Sequence, residues 1–191
     1  MVMDAAVLER VGRTPEARVR WFLKFAAQDL ARLSGPLQKA AWDALFALQS
    51  QQPVRVPAKQ ETVAETQQEL RACIEALANG RRYDFWVPGM SWTLRPPPPR
   101  PPGTRDSAPV VRDSAEAQIM RAAMPATIVL AFVDDLNAIG ADRLRACPLE
   151  TSGKRCGLIF LATRRQRYCG RRHAQAAAWQ AYSIKRKERR K

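Results

Sequence analysis

Three of the four cysteines and the single histidine of this chain fall between positions 147 and 173, spaced Cys147-x8-Cys156-x12-Cys169-x3-His173. Thiolate and imidazole are the ligand types that tetrahedral structural zinc uses. A segment this short cannot build a core large enough to fold alone, and an ion held by these four side chains would substitute for one. The Cys-x3-His step is compact enough for both residues to face one ion at a helix start. The gap between Cys147 and Cys156 exceeds the usual spacing of about two to four residues. Its content, Pro148 to Arg155, is polar and turn-rich and can loop out without moving either end. In the competing reading, Cys147 packs in a core and His173 is a surface helix residue. No charged-then-apolar leader opens the sequence, so a reducing, cytoplasmic compartment is expected, where clustered cysteines bind metal before they pair as disulfides.

Charge follows the same boundary. The 191 residues carry 32 Lys+Arg against 18 Asp+Glu, a formal +14. From Asp142 onward there are 15 basic and three acidic residues, so that segment holds +12 and residues 1–141 only +2. A near-neutral body with a basic module of about fifty residues implies a polyanionic partner for the module. The longest apolar run, Thr127 to Val133, is far short of the roughly 20 residues of a membrane span. No membrane partner is expected.

The body, residues 1–140, reads as mainly α. Thr14-Pro15-Glu16 supplies a capping hydroxyl, a first-turn proline and a carboxylate facing the helix dipole. Val19, Phe22, Leu23, Ala26, Leu30 and Leu33 then follow at helical spacing, predicting a helix that Gly35 closes. Further helices are expected over 36–48, 61–78 (stopped by Asn79-Gly80) and 115–124, where Pro125 either kinks the helix or begins a new one that Gly140 ends. Residues 51–59 should be an extended connection. Between these helices, Asp84 to Val87 and Met90 to Leu94 flank Pro88-Gly89 as a β-hairpin. Its Phe85, Trp86 and Trp92 are expected to pack over the helices rather than stack on bases. Six prolines in 96–102 predict a stiff, exposed spacer. Cys73 is expected to be a buried structural thiol, and Asp134-Asp135 a solvated helix face. The body holds no histidine, no glycine-rich phosphate loop and no nucleophile beside a base, so no enzyme is expected.

The module, residues 141–191, reads as a treble-clef-like zinc finger: a knuckle at Cys156-Gly157, a strand over 158–162, a turn at Thr163 to Gln166, a return through Arg167-Tyr168-Cys169, and a helix from Gly170 carrying His173 in its first turn. Arg143-Leu144-Arg145-Ala146-Cys147-Pro148, Cys156-Gly157-Leu158-Ile159-Phe160-Leu161-Ala162-Thr163 and Arg165-Gln166-Arg167-Tyr168-Cys169 resemble the CGNR-type zinc fingers of bacterial proteins. The resemblance covers about 45 residues. The family carries a helical N-terminal domain that is thought to sense a ligand or stress, and a finger proposed to bind DNA in transcription control. This chain departs from it in three ways: an expanded first knuckle, His173 where the family has cysteine, and a naming tetrapeptide only echoed by Cys169-Gly170-Arg171-Arg172.

The resulting expectation is a zinc-dependent, nucleoid-associated DNA-binding regulator whose helical body senses a small-molecule ligand or forms a homodimer. An RNA- or ribosome-associated protein and a zinc-stabilised protein-interaction adaptor are the alternatives. Arg164, Arg165, Arg167, Arg171, Arg172, Lys185, Arg186 and Lys187 are the candidate nucleic-acid contacts. Six to ten phosphate contacts would weaken binding by ~10³–10⁵ between 50 and 200 mM salt. Arg165, Gln166 and Arg171 are types able to read base edges. Trp179 and Tyr182 are expected to dock the finger onto the body.

Overall fold

The computed structural model describes residues 11–32, 36, 39–41, 43–45, 60–87, 90–97, 111–112, 124–163 and 165–188. It divides the chain into two compact units, Met1–Asp142 and Arg143–Lys191.

In the first unit three helices, α1 (Pro15–Ala27), α2 (Gln60–Ala78) and α3 (Met124–Ile139), pack pairwise against one another. Each presents apolar residues at three- and four-residue steps, so one stripe of each helix can leave water together. Val19, Phe22 and Phe25 of α1, Leu70 and Cys73 of α2, and Ile128, Phe132 and Leu136 of α3 are buried. The Phe22 and Phe132 rings meet edge to face at 5.8 Å. The described positions between 36 and 45 are helical and bury Ala44 and Leu45.

The helix ends follow local chemistry. The Thr14 hydroxyl accepts from the Ala17 amide at 3.2 Å, as an N-cap should. α1 stops at Ala27 instead of continuing to Gly35, with a 3₁₀ turn over Leu30–Arg32 beyond it. The cause lies in α2. Gln67 Nε2 donates to the carbonyls of Phe25 (2.7 Å) and Gln28 (2.8 Å), and Arg71 Nε donates to that of Ala26 (2.8 Å). These carbonyls would otherwise serve the next helical turn, so α2 caps α1 from the side. α2 ends at Asn79-Gly80 and α3 at Gly140, as expected from the sequence.

The expected hairpin is present as β1 (Tyr83–Val87) and β2 (Met90–Arg95), paired antiparallel with Phe85 opposite Trp92. A third strand, β3 (Val111–Arg112), which the sequence did not signal, joins β2 through Leu94 and Arg95. The side chains of Phe85, Trp86 and Trp92, the turn at 88–89, the extended connection over 51–59, most of the proline run and the helix expected over 115–124 lie outside the described residues.

One surface assignment is corrected. Asp135 is not a solvated carboxylate: both its oxygens accept from the Arg18 guanidinium, with Nε–Oδ2 at 2.7 Å and Nη2 on Oδ1. Both side chains are about nine-tenths shielded, at 14% and 13% exposure. The fork ties α1 to α3, and the paired charge is what makes its burial tolerable. Arg18 lies 117 residues away in sequence, so periodicity on α3 could not reveal it.

Candidate metal centre

The second unit begins with β4 (Leu144–Ala146), paired antiparallel with β7 (Ile159–Leu161). The ladder continues past both ends, with the Ala162 amide donating to the Arg143 carbonyl (2.7 Å) and the Cys147 amide to the Leu158 carbonyl (2.9 Å). Leu144, Cys147, Leu149, Leu161 and Ala162 are the buried apolar residues of this unit. So few side chains form a core well below what sustains an independent fold.

Between the strands the eight residues separating Cys147 from Cys156 form their own hairpin, β5 (Glu150–Thr151) with β6 (Lys154–Arg155). Ser152 and Gly153 at its tip have φ of 52° and 74°. Two consecutive positive φ angles are what a two-residue type I′ turn requires, and Ser-Gly supplies them. At the base the Cys156 amide donates to the Leu149 carbonyl at 2.8 Å. The wide spacing therefore closes on itself and returns the chain next to Cys147. Gly157, at φ 62°, then redirects the chain into β7.

After β7 the chain turns at Thr163, where the Gln166 amide donates to the Thr163 carbonyl at 2.9 Å. The sequence predicted this turn but not its consequence. Residues 167–169 do not return as a strand beside β7, whose partner is the earlier β4. They instead lead directly into α4 (Arg171–Glu188), which places His173 in its first turn.

The four donor atoms of Cys147, Cys156, Cys169 and His173 all lie within 4.8 Å of one another. His173 Nδ1 is 3.0 Å from Cys169 Sγ and 3.6 Å from Cys147 Sγ, and the Cys156 and Cys169 sulfurs are 4.0 Å apart. A tetrahedron with metal–sulfur bonds of ~2.3 Å and metal–nitrogen bonds of ~2.0 Å has donor–donor edges of about 3.5–3.8 Å. The set therefore fits an ion such as zinc in number, atom type and spacing. Both halves of the competing reading give way to this geometry: Cys147 is buried, but its sulfur faces the other donors, and His173 is half-buried against two of them.

The surroundings favour thiolate at one ligand in particular. Burial acts to push the Cys147 thiol up, but backbone N–H groups of Cys169 and Leu149, aided by the side chains of His173 and Cys169, bring it down to about 6. Backbone donors aimed at sulfur favour the charged form that a metal requires. Cys169, pushed up to about 12 by burial and by the neighbouring sulfurs of Cys147 and Cys156, would give up its proton when an ion arrives. By contrast Cys73 is wholly buried in α2, 74 positions before Cys147, and its thiol is held above its ordinary range by burial and by Glu69.

The cations of this unit sort into two groups. Arg143 and Arg145 are spent on structure: Arg143 Nε donates to the Ala162 carbonyl (3.0 Å) and Arg145 Nη1 to that of Gln166 (3.1 Å). Arg165, Arg167, Arg171, Arg172, Lys185 and Arg186 are exposed, while Arg164 and the side chain of Lys187 lie outside the described residues. Lys154 and Arg155 lie on β6 rather than in an open loop, are exposed, and extend the basic surface. Gln166 is held within the turn: its Nε2 donates to the Tyr168 carbonyl (3.0 Å) and its Oε1 accepts from the Thr163 amide (3.3 Å).

Fold and site thus define a mainly helical protein with a separate unit whose three cysteines and one histidine are compatible with a bound metal ion such as zinc. No helix among the described residues is long and apolar enough to cross a membrane. No family model, curated protein or solved structure matches the chain.

Proposed function

We propose that the chain is a zinc-dependent nucleic-acid-binding protein, a transcriptional regulator acting on duplex DNA, with a treble-clef-like finger of the CGNR kind as its binding module. The Cys₃His cluster carries this reading, because the same short elements that converge on the metal ligands also carry exposed Arg165, Arg167, Arg171 and Arg172. Zinc would be structural. All four tetrahedral positions are taken by protein donors, which leaves no open position for catalysis. The ion would hold α4 against the β4–β7 pair and so fix the spacing of the cations. Arg171 and Arg172 open α4, where free backbone N–H groups add to the attraction for phosphate. The helical body would supply ligand sensing or dimerisation.

The test is the salt dependence of binding to a duplex by the zinc-loaded full chain. Arg165, Arg167, Arg171 and Arg172, all replaced by Gln, should lower the slope of log K against log salt by about 0.9 per lost phosphate contact. A slope that does not move places the binding face elsewhere. Selection from a random duplex pool should yield a site preferred by ~10³ or more over bulk DNA. Equal affinity for structured RNA and any duplex would replace the regulator by an RNA-associated protein.

A further inference from the structure

Three of the four large exposed apolar side chains of the second unit lie on α4, the fourth being Leu158 before β7. Trp179 is 68% exposed, Tyr182 58% and Ile184 57%. Apolar side chains exposed together, rather than singly, mark a contact surface. Trp179 also lines a shallow groove of ≈ 520 Å³ together with Glu150, Gly153, Gln180, Ser183 and Ile184. Its two walls, the β5–β6 hairpin and α4, are tied together, because Gln180 Nε2 donates to the Glu150 carbonyl at 2.8 Å. The Trp179 and Tyr182 rings meet edge to face at 5.9 Å, which steadies the indole without sandwiching it.

Glu150 is the one charged side chain that lines the groove, and the exposed charges beyond its rim are mostly cationic. Lys154 and Arg155 are exposed on the hairpin wall. Arg172 and Arg186 stand seven positions to either side of Trp179 on α4. Seven residues bring a helical side chain back to within about 20° of the same face, about 10.5 Å along the axis. The only acids from Arg143 onward are Glu150 and Glu188.

We propose that this groove takes an unpaired nucleotide of a single-stranded nucleic acid, its base stacked on Trp179 and its flanking phosphates on Arg172, Arg186 and the hairpin cations. The proposal rests on the nucleic-acid reading of the module and adds, beside its duplex contacts, a site for a base that has left the duplex. In a duplex the base faces are covered by their neighbours and only edges are offered. An aromatic face flanked by exposed cations is therefore of use to a base that has left the stack. An acidic peptide would engage the same cations but would give Trp179 nothing to stack against.

The experiment uses the zinc-loaded full chain with a fluorescent 15-nucleotide oligothymidylate and a 15-base-pair duplex, measured by anisotropy. Trp179→Ala should weaken single-strand binding about ten-fold, the scale of one stacked base. It should leave duplex binding within two-fold, and Trp179→Phe should restore most of the loss. Equal zinc content in all variants establishes that the module is intact. If the wild-type chain binds both nucleic acids and Trp179→Ala affects neither, or both equally, the stacking site is overturned while the nucleic-acid reading stands. If the wild-type chain binds neither but retains polyglutamate, both fall.

Discussion

The amide of Cys156 donates to the carbonyl of Leu149 at 2.8 Å, so the two ends of the six-residue β5–β6 hairpin meet beside the metal ligands. The hairpin is thereby an insertion into a knuckle and not a stretching of it. Excising Glu150 to Arg155 would leave Cys147-Pro148-Leu149-Cys156, an ordinary two-residue spacing. We expect the shortened chain to keep its metal stoichiometry. With Lys154 and Arg155 gone, the salt slope of nucleic-acid binding should fall by up to about 1.8. Metal analysis and salt titration check the two halves separately, and loss of metal would show that the hairpin positions the ligands.

The Arg18–Asp135 fork makes a second prediction, for the body alone. Arg18→Ala strands a shielded carboxylate between α1 and α3, and should cost about 3 kcal/mol in denaturant unfolding. Replacing both residues together, Arg18→Leu with Asp135→Leu, should cost clearly less than the sum of the single changes, because no charge is left unpaired. Additive losses would mean that the pair does not interact.

Cys73 and Tyr83 set the alkaline limb of stability. Burial, reinforced by Glu69, holds both groups above their ordinary ranges, and the Tyr83 hydroxyl donates to the Glu69 carboxylate. Their contribution is complete below the unfolded values, about 8.5 for Cys and about 10 for Tyr. It is lost as pH rises further, because the unfolded chain releases protons that the folded chain retains. The body's melting temperature should therefore fall from about pH 9 upward, with Cys73 inert to alkylation until the body unfolds. A melting temperature flat to pH 11 would contradict this.

How much of this was legible beforehand depended on whether the signal was local. Helix starts and stops written in neighbouring residues, such as Thr14-Pro15, Asn79-Gly80 and Gly140, appear where the sequence puts them. The four metal-site residues were legible because thiols and imidazole are rare in this chain and cluster. What escaped was set by distant partners. Gln67 and Arg71 shorten α1 from forty residues away, Arg18 claims Asp135, and β4 takes β7 in place of residues 167–169. The Ser152-Gly153 turn carried a local hairpin signal, but the polar composition around it read equally well as a loop.

The most direct test is metal content beside thiol reactivity in the full chain purified without chelator. One zinc per chain is expected, with Cys147, Cys156 and Cys169 protected from a thiol reagent until chelator is added. His173→Ala should lower occupancy and loosen Arg143–Lys191 while the helical body stays folded. A chain free of transition metal, or one whose stoichiometry ignores the loss of His173, would contradict the account.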